Sequence, residues 1–139
     1  MKSANCYNKI IIMKSDIAGR EDIELMVRAF YDKVKIDPVI GPIFNDVANI
    51  NWEKHLPVMF DFWENTIFFT GGYSGNPMKP HQELNRIFPL QEKHFSRWLE
   101  LFKCTVDELF DGEKAELAKQ RAMSIAMIMQ VKFRKNVEM

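Results

Sequence analysis

Apolar residues recur at spacings of three and four along four long segments of this 139-residue chain. That period places them on one face of an α-helix, whereas a half-buried strand alternates apolar and polar residues. No segment alternates in that way, and no hairpin dipeptide stands between two apolar runs. The sequence therefore predicts an all-α fold within a single domain over residues 15–136. Long helices are expected at residues 20–36, 52–69, 89–110 and 112–135.

Short helical pieces are predicted between the long helices. One turn is expected at residues 15–19, and Asp37 followed by Pro38 predicts an N-cap and the first position of a tight turn over 38–44. A further short helix at residues 78–86 follows a glycine-rich loop at 70–77.

Composition and charge exclude several classes of protein. The 19 basic residues balance the 19 acidic ones, so the charge excess typical of nucleic-acid and membrane-surface binders is absent. The high content of Phe (11) and Met (9) favours either tight mutual packing or a pocket for a flat apolar ligand.

The N-terminal apolar run covers only residues 10–13. A signal peptide needs about 7–15 apolar residues and a membrane span about 20, so residues 1–14 are interpreted as a loose extension, with Met13 as an alternative start. Cys6 and Cys104 are far apart in sequence, and two cysteines do not indicate a disulfide-rich scaffold, although one disulfide between them stays an alternative. The expected location of the protein is therefore the reducing cytoplasm.

No nucleophilic or phosphate-binding motif is present. The chain lacks a glycine-rich phosphate loop, an HExxH pair, a CxxC pair and a CxxCH haem-attachment site. Cys104 and His94 are ten residues apart, about 15 Å along a helix, which is too far for a catalytic pair. No catalytic residue is therefore predicted.

Histidines and aromatic residues on apolar faces are the candidates for a binding site. His81 shares a helical face with Leu84, which suits either a satisfied boundary histidine or an axial metal ligand, the usual role of imidazole beneath a five-coordinate haem. His55 is either a boundary residue or a gate and hydrogen-bond donor. Tyr31 and Trp98 are either core aromatics or donors aimed at a polar ligand.

Taken together, these residues and their order resemble the truncated haemoglobins, and specifically the bacterial group III of this two-over-two globin family. The resemblance extends from about residue 20 to residue 130. It rests on residues 30–34 (FYDKV), 37–44 (DPVIGPIF), 52–55 (WEKH), 62–63 (FW), 71–77, 79–81 (KPH) and 88–102.

The resemblance implies a two-over-two helical sandwich around a non-covalent haem b. By position, His81 matches the proximal ligand of the iron, and Tyr31, His55 and Trp98 match the distal residues that face a bound ligand. Pro57 departs from the pattern: a helix kink there would swing His55 toward solvent. His94 is interpreted as a residue at the rim. The other implied haem contacts are Phe30, Phe44, Met59, Phe62, Trp98 and Phe88, with Lys79 in reach of a propionate.

The implied function is binding of O₂, NO or CO for ligand capture, sensing or detoxification. Two donors of about 1.5–3 kcal/mol each predict slow O₂ release. One alternative is an enzyme that converts NO to nitrate or reduces peroxide, which needs a separate reductase because the chain holds no flavin or nicotinamide domain. The other is a haem-free helical interaction or sensor module. A monomer with no nucleic-acid or membrane partner is expected.

Overall fold

The computed structural model describes the backbone of residues 13–137 and the side chains of residues 13–133. Over this range every regular element is helical, which confirms the all-α prediction. Residues 1–12, with Cys6 and most of the predicted extension, lie outside the described residues, and the predicted domain limits stay a prediction. The helices are α1 (Arg20–Ile36), α2 (Trp52–Phe68), α3 (Met78–Ile87), α4 (Glu92–Leu109) and α5 (Glu113–Val137), with a π-helical turn at Ile43–Val47.

The helical turn predicted at residues 15–19 is wrong. The chain has no regular secondary structure there, because the carboxylate of Asp16 is used elsewhere: its oxygens accept hydrogen bonds from the amides of Lys114 and Ala115, at 2.9 Å each. Asp16 thus satisfies donors at the start of α5, which have no partner within their own helix. A contact across 98 residues replaces the local helix.

The segment after α1 is helical, but later in the chain than predicted. Oδ2 of Asp37 accepts from the amides of Val39 and Ile40 at 3.0 and 3.1 Å, so Asp37 caps the turn at residues 38–40, whereas the N-cap of the helical segment is Pro42. The regular part is the π-helical turn Ile43–Val47, so the predicted limits of 38–44 are wrong.

Pro57 lies inside α2 and does not interrupt it. The helix runs from Trp52 to Phe68, and the side chain of Asn51 caps it by accepting from the amide of Lys54 at 3.4 Å. Nε2 of His55 is buried, so the predicted exposure of His55 is absent. The third long helix begins at Glu92 and not at Pro89, because Gln91 caps it.

Two pairs of helices enclose the core. α1 packs on α2, α4 packs on α5, and the two pairs meet where α1 contacts α4 and α2 contacts α5. Among the helices of residues 13–137, the backbone of α3 comes close only to α5. This arrangement leaves the backbone of α3 without a contact to α2. No helix in the described part of the chain is long and apolar enough to cross a membrane.

Candidate functional site

Tyr31, a residue of α1, is the central aromatic side chain of the site. It is buried, and its ring lies 4.8 Å from Phe30, 5.1 Å from Trp52 and 5.5 Å from His55, centroid to centroid. Burial raises the pKa of Tyr31 far above its ordinary value, so the hydroxyl stays protonated and can donate a hydrogen bond at any physiological pH.

His55 projects from α2 toward Tyr31. The two rings meet edge to face with an interplanar angle of 75°. In the described part of the chain, Nε2 of His55 is the one buried side-chain nitrogen or oxygen with no hydrogen-bond partner. Because buried polar atoms nearly always have partners, this nitrogen is a candidate contact for a bound group.

His81 is oriented by its own helix. Nδ1 lies 2.6 Å from the carbonyl oxygen of Pro77, which can only accept, so Nδ1 carries the proton and donates. The lone pair of the neutral ring is then on Nε2. Metal-ligating histidines use this same outer hydrogen bond to fix the ring and its tautomer.

The pKa of His55 is lowered, and His81 is one of the causes. Burial is the largest cause of the lowered pKa of His55, and the nearby imidazole of His81 lowers it further. Both effects favour the neutral ring of His55. His55 and His81 therefore share one electrostatic environment, although the backbones of α2 and α3 do not approach each other.

Most of the predicted wall residues are partly buried apolar side chains. Each of them packs against the main core while leaving part of its surface open, as the wall of an apolar pocket does. Trp98 on α4 stacks against Phe102 at 5.9 Å and meets Phe30 edge to face at 5.8 Å. Lys79, at the start of α3, is exposed. The other predicted wall residues with this partly buried placement are Phe44, Met59, Phe62 and Phe88.

The chain is similar in sequence and in structure to proteins of one known family. No family model matches the chain. A group 3 truncated haemoglobin of Campylobacter jejuni is 32% identical over 117 residues, which cover 82% of this chain and 90% of that protein. The chain belongs to the group 3 truncated haemoglobins. The crystal structure of a group III truncated haemoglobin from Campylobacter jejuni matches with a TM-score of 0.76 and 31% identity, over 87% of this chain and 95% of that one.

Membership of the truncated haemoglobins confirms the family inferred from the sequence and the two-over-two globin fold. Both comparisons extend over most of the chain, so the order of the helices can be matched as a whole. The roles of individual residues of this truncated haemoglobin stay predictions.

Trp52 contacts both Tyr31 and His55, although it was not predicted as a site residue. Its ring stacks on Phe44 at 6.2 Å and lies 5.7 Å from His55, with the ammonium of Lys35 above it at 4.7 Å. The signal was present, because Trp52 precedes His55 by one helical turn and so shares its face.

His94 is not the rim residue that the sequence suggested. It is buried, its Nδ1 accepts from the amide of Gln91 at 2.9 Å, and its ring packs on Phe88 at 5.6 Å. Burial, followed by the charge of Lys93, lowers the pKa of His94. This truncated haemoglobin therefore uses His94 to cap α4.

Proposed function

We propose that this truncated haemoglobin binds haem b non-covalently, with His81 as the axial ligand, and takes up a diatomic gas on the side of His55. The proposal follows the family of the chain and the arrangement of its two histidines. The observation that supports it is the buried, unpartnered Nε2 of His55, together with the imidazole of His81, whose Nδ1 is already engaged by the carbonyl of Pro77.

The residues at the site fit a haem. The Nδ1 contact with Pro77 leaves Nε2 of His81 as the donor atom for a metal, and a carbonyl partner strengthens such a ligand. The partly buried wall offers apolar surface to a flat ring, with Phe44 and Phe88 among its members. The exposed ammonium of Lys79 is placed at the start of the same helix as His81 and suits a propionate.

When bound, the haem would supply an iron whose sixth coordination position takes O₂, NO or CO. The role of the protein side chains is to hold the ligand at the iron. The hydroxyl of Tyr31 and the indole N–H of Trp98 are donors, and the neutral ring of His55 offers a third polar group. A hydrogen bond to a charged or strongly polarised acceptor contributes about 1.5–3 kcal/mol.

Donors of that strength favour slow release. Each 1.4 kcal/mol corresponds to about a tenfold change in affinity, so two donors would hold a polar ligand too tightly for bulk delivery. Ligand capture, sensing or detoxification fits this behaviour better. Oxidation of NO, or reduction of peroxide, would use the same side chains but needs electrons from a separate reductase.

The axial role of His81 is tested by absorption spectroscopy. The purified protein should show a strong Soret band in the ferric, ferrous and CO-bound forms. His81→Gly should lose the band or weaken it greatly, and added imidazole should restore it by filling the vacated position. Thr105→Val is the control, because Thr105 donates to Leu101 within α4 and not to the site.

An undiminished Soret band in His81→Gly without imidazole would contradict the axial role of His81. A wild-type protein that takes up no haem would leave the haem-free interaction module as the better interpretation. Rapid NO consumption with a reductase present would favour the enzymatic alternative over simple ligand binding.

A further inference from the structure

The orientation of His55 depends on ring packing and not on a hydrogen bond. Nε2 is buried without a partner, so no polar contact of that atom holds the imidazole inward. Two aromatic rings contact it edge to face instead: Tyr31 at 5.5 Å and 75°, and Trp52 at 5.7 Å and 80°. If either ring moved, the imidazole would gain room to turn its unpartnered nitrogen toward water.

Of these two rings, Trp52 is the one nearer to solvent. Tyr31 is 5% exposed and fixed within α1, whereas Trp52 is partly buried at the first position of α2. The outward ring is the one that can move with least disturbance to the core.

Lys35 and Phe44 hold the Trp52 ring from two sides. The ammonium of Lys35 lies 4.7 Å above the indole, where the negative face of the ring attracts a cation. Phe44 stacks on the same indole at 6.2 Å with an interplanar angle of 18°. The side-chain amide of Asn45 also donates to the carbonyl oxygen of Lys35 at 2.9 Å, which ties the end of α1 to the turn that carries Phe44.

We propose that Trp52, held in place by Lys35, is a positioning residue that keeps His55 turned inward and thereby sets the rate at which a diatomic ligand enters the distal side. This inference rests on the proposed function. Trp52 acts through His55, because its ring contacts the imidazole directly. Lys35 acts one step further out, through the indole.

The test is CO association with the ferrous holoprotein after flash photolysis. Trp52→Ala should raise the association rate constant by about tenfold, the change that 1.4 kcal/mol produces. Lys35→Gln should raise it by a smaller factor, and Lys35→Arg should restore the wild-type rate because a guanidinium also interacts with an aromatic face. Lys33→Gln is the matched control: it removes a charge from the same helix, where Lys33 pairs with Glu108 at 2.9 Å.

Measurements in the His55→Ala variant distinguish an effect of Trp52 on the position of His55 from a general loosening of the site. If Trp52 acts through His55, Trp52→Ala should change the rate little once the imidazole has been removed. The full rate increase in that background would overturn the inference, as would wild-type rates in both Trp52→Ala and Lys35→Gln with a normal Soret band.

Two further outcomes are decisive. If Trp52→Ala fails to take up haem, the comparison of Lys35→Gln with Lys35→Arg decides: equal rates in the two variants would overturn the inference. A wild-type protein without a Soret band would instead overturn the proposed function, and this inference with it.

Discussion

The imidazole of His55 meets the phenol ring of Tyr31 edge to face, with centroids 5.5 Å apart. The contact joins the first and second long helices at the one point where a buried polar atom of the described residues has no partner. A donor and an unpartnered imidazole are thus held side by side before any ligand enters. Such preorganisation lowers the cost of ordering side chains when a ligand binds.

Tyr31→Phe should speed the release of O₂. The substitution removes the hydroxyl but keeps the ring that packs on Phe30 and His55. Loss of one charge-assisted hydrogen bond of about 1.5–3 kcal/mol corresponds to a rate increase of roughly 10- to 100-fold. Stopped-flow O₂ dissociation measures it, with Thr105→Val as the control for loss of a buried hydroxyl elsewhere. An unchanged rate would remove Tyr31 from the set of distal donors.

The protein should become less stable in mild acid, and His94 should contribute to the loss. Burial, then the charge of Lys93, lowers the pKa of His94 in the folded state below the unfolded value of about 6.5. The unfolded chain then binds more protons, so the stabilisation is present above that value and is lost as the pH falls from it through the lowered folded pKa.

Urea unfolding between pH 8 and pH 5 checks the role of His94. His94→Asn keeps an acceptor for the amide of Gln91 but does not titrate, so its free energy of unfolding should fall less steeply over this range than that of the wild type. His55 titrates in both proteins, and part of the acid dependence should therefore remain. Identical slopes would show that His94 makes no contribution.

Periodicity in the sequence was sufficient to predict the long helices, because the spacing of neighbouring apolar residues defines the apolar face of each helix. The predicted limits of α1 agree with the structure, and those of α2 differ by one residue. Local signals failed where a distant partner decides the conformation. Asp16 reads as the start of a helical turn, yet its carboxylate caps α5, nearly 100 residues away.

The site was predicted mainly by resemblance and only in part from the residues. Helical spacing placed His55 and His81 on inward faces, but it cannot show that two helices without mutual backbone contact bring them together. Trp52 was not predicted as a site residue, because its contacts with Tyr31 and Phe44 come from α1 and the π-helical turn. His94 was misplaced because a cap formed by a histidine with Gln91 has no strong sequence signature.

Gly112→Ala should destabilise the fold by about 1–3 kcal/mol, the usual cost of a strained backbone position. Gly112 has a φ of 151°, and a Cβ there would overlap with the side chain of Asp16 that caps α5. The matched control is Gly72→Ala, where an added Cβ meets only Oγ1 of Thr70, at an ordinary contact distance of 3.4 Å. Urea unfolding of the two variants measures the difference; equal stabilities would show that the cap tolerates displacement.

The ion pair between Asp37 and Arg97 should be the most sensitive polar contact of the fold. It joins the end of α1 to α4: Nε of Arg97 donates to Oδ1 of Asp37 at 2.7 Å, and the Asp37 side chain is only 2% exposed. Burial alone would raise the pKa of Asp37, but the Arg97 guanidinium and the amides of Ile40 and Val39 outweigh it and hold that pKa below its ordinary value.

Arg97→Leu leaves this carboxylate buried without its countercharge, which costs about 3–5 kcal/mol when a buried pair is broken. The two backbone amides remain as partners of Asp37, so the lower end of that range is expected. Glu116→Gln is the control, because Glu116 pairs with Lys119 with 61% of its side chain exposed, and such pairs contribute less than about 1 kcal/mol. Chemical denaturation at pH 7 compares the two. In the wild type, protonation of Asp37 below pH 5 removes the stabilisation that the ion pair provides. Arg97→Leu has already lost the pair, so its free energy of unfolding should fall less on acidification below pH 5 than that of the wild type. The opposite order would contradict the assigned role of the pair.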